Sequence, residues 1–104
     1  MKVKIFAAAR NDLIKAFHFY EAKRTDLGNY FLSTIYSEIE TLQVLAGVHS
    51  KPYGNFHRLL SKKFPFAIYY TVNHDIAIVH AVVDCRRNPD WTHLHLQRNR
   101  NFII

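Results

Sequence analysis

Residues 81–91 read AVVDCRRNPDW. A run of small and β-branched apolar residues gives way to an acid, a cysteine, two adjacent arginines, an Asn-Pro step and the chain's only tryptophan. A buried strand that ends this way lifts Arg86 and Arg87 clear of the core. Pro89 restrains the backbone behind them, and Trp91 offers a flat anchor. Guanidinium groups grip phosphate or carboxylate as a two-pronged fork. Arg58 in FHRLL, and Lys62 and Lys63 in the turn after it, add to the charge. Antiparallel pairing of three consecutive strands brings Lys62, Lys63, Arg86 and Arg87 to one end of the sheet, around Phe64 and Pro65. Phe64, Phe66 and Trp91 flank that patch, and aromatic faces of this kind can stack on a base. The expected chemistry is contact with an anionic target through Arg58, Lys62, Lys63, Arg86, Arg87 and Trp91.

Other reactive residue types point less far. His93 and His95 would share one face of a strand, but two imidazoles with no Cys or carboxylate at ligand spacing fall short of a metal site. No metal is expected. His80 alternates with Ile76, Ile78 and Val82 and reads as a buried, hydrogen-bonded histidine. Cys85 stands next to arginines that would lower its pKa, yet no partner base is identifiable. There is no Gly-rich phosphate loop and no GxSxG elbow, and no cofactor is expected. Tyr36, Tyr53, Tyr69 and Tyr70 read as core and strand residues.

The elements that must position these side chains are legible in the apolar pattern. KVKIF (2–6) alternates and reads as a strand with one wet face. From Ala8 to Arg24, Leu13, Ala16, Phe17 and Tyr20 form an apolar helical stripe, with Asn11, Asp12, Lys15 and Lys23 off it. Thr25-Asp26 breaks the helix and offers an N-cap to a second stripe, Leu27, Phe31, Ile35, Ile39 and Leu42. That helix runs to about Ala46, with Gly47 as its C-terminal cap. The short junction makes residues 8–46 a helical hairpin. After the loop GVHSKPYGN (47–55) come three strands, 56–60, 64–72 and 76–83, joined by tight turns as a meander. Pro65 falls at a strand start, where a missing N–H is tolerated. The tail DWTHLHLQRNRNFII suits either a short helix or an added edge strand. The order is strand, helix, helix, strand, strand, strand: an α+β fold in which a helical hairpin packs on a small antiparallel sheet.

The chain's 104 residues, 49% of them apolar, suit a single domain spanning 1–104 with a true core. One cysteine excludes an intramolecular disulfide. No apolar run is long enough for a transmembrane helix, and the N-terminus lacks a signal-peptide core, so a cytoplasmic protein without a membrane partner is expected. Formal net charge is +6. Residues 1–50 hold six Lys/Arg against five Asp/Glu, and residues 51–104 hold eight against three, so the excess lies in the C-terminal half. That asymmetry suits an anionic partner.

Several phrases resemble a known family: AARNDLIKAFHFYE (8–21), DLGNYFLSTI (26–35), FPFAIYYTV (64–72) and AVVDCRRNPDW (81–91). Together with the βααβββ order they resemble the RelE/ParE superfamily of toxins from bacterial toxin–antitoxin systems, over about residues 1–92. The resemblance implies a cognate antitoxin partner, whose C-terminal segment would wrap apolar grooves beside the hairpin and sheet. An acidic antitoxin tail would match the positive charge. RelE-like members resemble ribonucleases that cut mRNA on the ribosome, a reaction needing a base for the 2′-OH, cations for the phosphorane and an acid for the leaving oxygen. Arg58 and Arg86 could match two positions of that set, and His93 or Asp84 could substitute for a missing one. The central strand carries Phe66, Ala67 and Ile68 where an arginine is expected, and the C-terminal tyrosine is missing. ParE-like members resemble binding poisons of DNA gyrase and need no catalytic set. This chain is closer to that branch, although Asp84 stands where many relatives have histidine and Asn88 where they have aspartate.

Overall fold

The computed structural model describes residues 1–101. Its elements run β1 (Lys2–Ile5), α1 (Ala7–Lys23), α2 (Leu27–Glu40), α3 (Leu42–Leu45), β2 (His57–Leu60), β3 (Phe66–Asn73), β4 (Ile76–Asp84) and α4 (Pro89–Asn101). The sheet order is β1-β4-β3-β2. β2, β3 and β4 form the expected antiparallel meander, and β1 joins parallel to β4 with Val3 opposite Ala77. The helical hairpin is the crossover that parallel pairing requires.

The hairpin covers one face of the sheet. Leu13, Ala16 and Tyr20 of α1 and Phe31, Ile35 and Ile39 of α2 bury against Phe66, Ile68, Tyr70, Ala77, Val79 and Val82. The helices approach closely where Gly28 faces Phe17: a Cβ there would lie 2.8 Å from the Phe17 carbonyl oxygen and nearer still to its ring. Asp26 precedes α2 as expected, but with φ +69° it makes no side-chain cap. Glu21 supplies the cap from the preceding helix, its two carboxylate oxygens accepting from Asp26 N–H (3.0 Å) and Gly28 N–H (2.9 Å). A carboxylate at a helix N-terminus meets both orphan N–H groups and the positive end of the dipole.

The second helix does not run unbroken to Ala46. It stops at Thr41, whose hydroxyl donates to the Glu38 carbonyl (2.6 Å), and the short α3 follows. Such a hydroxyl bond competes with the helical ladder. Gly47 follows with φ +97°, and its N–H donates to the Tyr70 hydroxyl at 3.0 Å.

The tail resolves as a helix. Asn88 caps it: its side-chain oxygen accepts from Asp90 N–H (2.7 Å) and its carbonyl from Thr92 N–H. Pro89 occupies the first helical position, where no N–H is missed. α4 lies over the second face of the sheet, its Leu96 packed with Phe56, Ala67, Tyr69, Ala81 and Val83 and with Trp91 beside them. The fold is thus a hairpin, a sheet and a covering helix. The last three residues of the tail, 102–104, lie outside the described residues.

Candidate functional site

The end of the sheet is built where β4 meets β3. Asp84 pairs with Phe66, and Cys85 N–H donates to the Pro65 carbonyl at 2.8 Å, so the chain leaves β4 pinned to the start of β3. Asp84 then organises the turn. One of its oxygens accepts from Arg86 N–H (2.8 Å) and Nε (2.9 Å), and the other from Nη2 at 2.6 Å. Its carbonyl accepts from Arg87 N–H at 3.1 Å. The hydrogen bond from the Arg86 side chain holds the Asp84 carboxyl below its ordinary range, against the opposing effect of burial. Arg86 is held in a fixed direction while 66% of its side chain stays exposed.

Arg87 turns the other way. Its guanidinium carbon lies 4.2 Å from the centre of the Trp91 ring, within cation–π range. The His95 ring stacks nearly parallel to Trp91 at 4.7 Å. His95 Nε2–H donates to Asp12 Oδ1 (2.9 Å), and Asp12 Oδ2 accepts from Val82 N–H (3.0 Å). Asn99 closes the set, donating to the His80 carbonyl at 2.8 Å. A cleft of about 300 Å3 opens between α1 and the start of α4, lined by Lys15, Phe19, Phe66, Asp84, Arg87 and Trp91 among others. Its lining mixes apolar Ala16, Phe19, Phe66, Val82 and Val83 with charged Asp12, Lys15, Asp84 and Arg87.

The lysines sit on the hairpin side. Lys63 Nζ is 5.5 Å from the Tyr30 ring, and Lys62 N–H donates to Glu38. Phe64 joins Tyr30 to Tyr20, at 5.6 and 5.0 Å between ring centres. The Tyr20 hydroxyl is raised by burial and partly offset by the nearby Arg86. Arg86 and Lys63 therefore stand at this one aromatic cluster. Arg58 lies apart from it. It is paired with Tyr69, on the sheet face that α4 covers. His93 is on the same side, its ring 6.1 Å from Tyr53, which in turn lies 5.8 Å from Tyr69.

Three expectations need correction. His93 and His95 sit on a helix, not a strand, so a two-residue step sends them to different faces: His93 is exposed and His95 half-buried. A carboxylate does join His95, namely Asp12, which is half-buried rather than on the outer face of α1. The Cys85 thiol is raised, not lowered, because burial and Asp84 outweigh Arg58 and Arg86. Asp12 carried a sequence signal: it falls in the i+4 row Ala8, Asp12, Ala16, where flanking alanines mark a face that approaches the sheet. Among the described residues, no group of three His, Cys, Asp or Glu side chains could hold a metal ion, and no helix is long and apolar enough to cross a membrane.

No family model and no curated protein matches this chain. Among solved structures it is similar to a chain of the "Chromosomal ParDE TA system from P. aeruginosa", with a TM-score of 0.75 and 16% identity. The likeness covers 81% of this chain and 95% of that one. At that identity the likeness shows the fold: a helical hairpin on a small four-stranded sheet, shared with a ParDE toxin–antitoxin structure.

Proposed function

We propose that this chain is the toxin of a toxin–antitoxin module, of the ParE-like kind, inhibiting growth by binding a target such as DNA gyrase and silenced by a cognate antitoxin. The observation that carries this reading is the coincidence of that fold with a fixed pair of arginines at the sheet end. Arg86 and Arg87 would make the anionic contacts, Lys62, Lys63 and Arg58 would support them, and Trp91 would anchor the segment. Exposed Ile14, Phe19 and Tyr30 on the hairpin supply apolar surface for an antitoxin segment. The test is induction from a tight promoter with pulse-labelling of DNA and protein synthesis. DNA synthesis should fail first, and co-expression of the neighbouring gene's product should restore growth. Arg86→Ala with Arg87→Ala should retain the circular-dichroism spectrum yet lose growth inhibition. Full toxicity in that variant would remove the site assignment.

A second reading rests on Arg58, His93 and the tyrosines between them. Arg58 is paired with Tyr69, and Tyr53 lies between Tyr69 and His93. Arg58 and His93 thus share the α4 side of the sheet, while Arg86, the third residue such a ribonuclease would use, stands at the sheet end. It predicts early arrest of translation and new mRNA 5′ ends within codons. Intact mRNA after induction would remove it.

A further inference from the structure

A second cleft, of about 340 Å3, opens beside the edge of β3. The chain before β2 turns away at Phe56, whose N–H bonds back to the Tyr53 carbonyl, so β2 covers β3 only as far as Tyr70. Thr71 to Asn73 are left at the uncovered edge, and the 51–55 loop and the end of α4 wall it in. Its lining includes Lys51, Asn55, His57, Thr71, His80 and Arg100, and among the described residues it contains no carboxylate. Two fixed positive charges therefore face one concavity whose described lining holds no acid, and low-dielectric walls focus that field.

The polar walls are held in place. His57 Nδ1–H donates to the His49 carbonyl (2.7 Å), and its ring stacks on Tyr70 at 4.9 Å. Tyr70 is locked in turn, accepting from Gly47 N–H and donating to His49 Nδ1. His80 is the extra residue of a bulge: Tyr69 pairs with Ala81 and Tyr70 with Val79, leaving His80 unpaired between them. Its buried ring is gripped by Phe6 and Phe56 at 5.0 and 5.3 Å. Nε2 lies 2.9 Å from Thr71 Oγ1, and Nδ1 has no partner among the described residues. Burial keeps this imidazole neutral at physiological pH. With the proton on Nε2, His80 donates to Thr71 and the orphan nitrogen is an acceptor rather than an unpaired N–H. The Thr71 hydroxyl proton is then free to turn outward into the cleft.

We propose that this cleft binds a phosphate ester, with Lys51 and Arg100 supplying charge, Thr71 and Asn55 neutral donors, and His80 acting as the positioning residue for Thr71. The donors outnumber the two oxygens of a carboxylate, and the volume leaves room for the group the phosphate is attached to. The ester is either a free nucleotide or a backbone phosphate of a nucleic acid. The proposal does not rest on the toxin reading, because the cleft is bounded by different residues from the sheet end at Arg86 and Arg87.

The test titrates the full chain, in phosphate-free buffer, with inorganic phosphate, adenosine 5′-monophosphate and a short single-stranded RNA. Amide and imidazole resonances of His57, Thr71 and His80 are followed by NMR, and affinity by calorimetry. Saturable shifts at those residues are expected. Lys51→Gln with Arg100→Gln should weaken binding at least about tenfold, whereas the charge-matched Lys2→Gln with Lys4→Gln, on the far edge strand, should change it by less than about threefold. Thr71→Val should weaken it while leaving the fold intact. Nucleotide bound more tightly than phosphate, with no gain for RNA, assigns a free nucleotide, and equal affinity for phosphate and nucleotide overturns the ester assignment. Tighter, steeply salt-dependent RNA binding assigns a backbone phosphate. Absence of saturable shifts, or equal losses in the two double variants, overturns the proposal.

Discussion

Arg86 reaches the surface with part of its hydrogen-bonding capacity already used. The Asp84 pair costs it one edge of the guanidinium but aims the other outward, and an aimed fork loses less freedom on binding than a loose one. Arg87 gains direction differently, from the Trp91 ring. Replacing Trp91 with leucine should therefore weaken whatever Arg87 contacts more than it weakens the fold, which target-binding and unfolding measurements on one sample can separate. His80 offers a sharper test. Burial lowers its pKa from the ordinary value to about 4. The folded chain refuses a proton that the unfolded chain accepts below about pH 6.5. His80's contribution is thus complete above that pH and is lost as pH falls toward 4, by up to about 3 kcal/mol. Urea unfolding at pH 7.5 and 4.5 should show the loss, and His80→Leu should flatten that part of the profile.

The elements differ in what holds them. α1 and α2 are joined by burial and by an approach that only glycine permits at position 28. Gly28→Ala pushes a methyl into the Phe17 backbone and should cost about 1–3 kcal/mol in overpacking, despite alanine's better helix propensity; thermal unfolding would register it. α4 depends more on polar contacts. Leu96 is its fully buried apolar anchor, and Asp12, His95 and Asn99 tie its polar edge to α1 and β4. Asp12→Asn puts an amide N–H where His95 and Asn99 already donate. It should destabilise by about 1–3 kcal/mol and raise amide hydrogen exchange in residues 89–101 ahead of the hairpin. Uniform exchange across the chain would mean that α4 does not open on its own.

At the scale of the whole molecule, two cores share one sheet. The larger lies under the hairpin, where Tyr20, Phe31, Phe64 and Phe66 pack at ring separations of 5.0 to 6.1 Å. The smaller lies under α4. Phe31→Ala opens a cavity in the larger and should cost about 3–5 kcal/mol in denaturant unfolding. Of the eight Lys/Arg of the C-terminal half, Lys62, Lys63, Arg86 and Arg87 stand at the sheet end and Lys51 and Arg100 at the second cleft. The positive field therefore has two foci.

The sequence by itself determined the hairpin, the meander and the presentation of Arg86 and Arg87, because each follows from local periodicity and turn residues. Leu13, Ala16 and Tyr20 repeat at helical spacing, and a three-residue break between two such stripes folds them antiparallel. It also held a sign of the third layer. Phe66 to Tyr70 are five successive residues that are all buried, and a strand apolar on both faces needs cover on both. What it left open was which segment supplies that cover, because THLHLQRNRN has weak periodicity as helix and as strand alike. Tertiary structure decided this through contacts across the chain: Asp12 to His95 spans 83 residues and Asp12 to Val82 spans 70. It likewise decided the parallel place of β1 and the bulge at His80. Strand neighbours and register are properties of the assembled sheet, where side chains distant in sequence compete for the same burial.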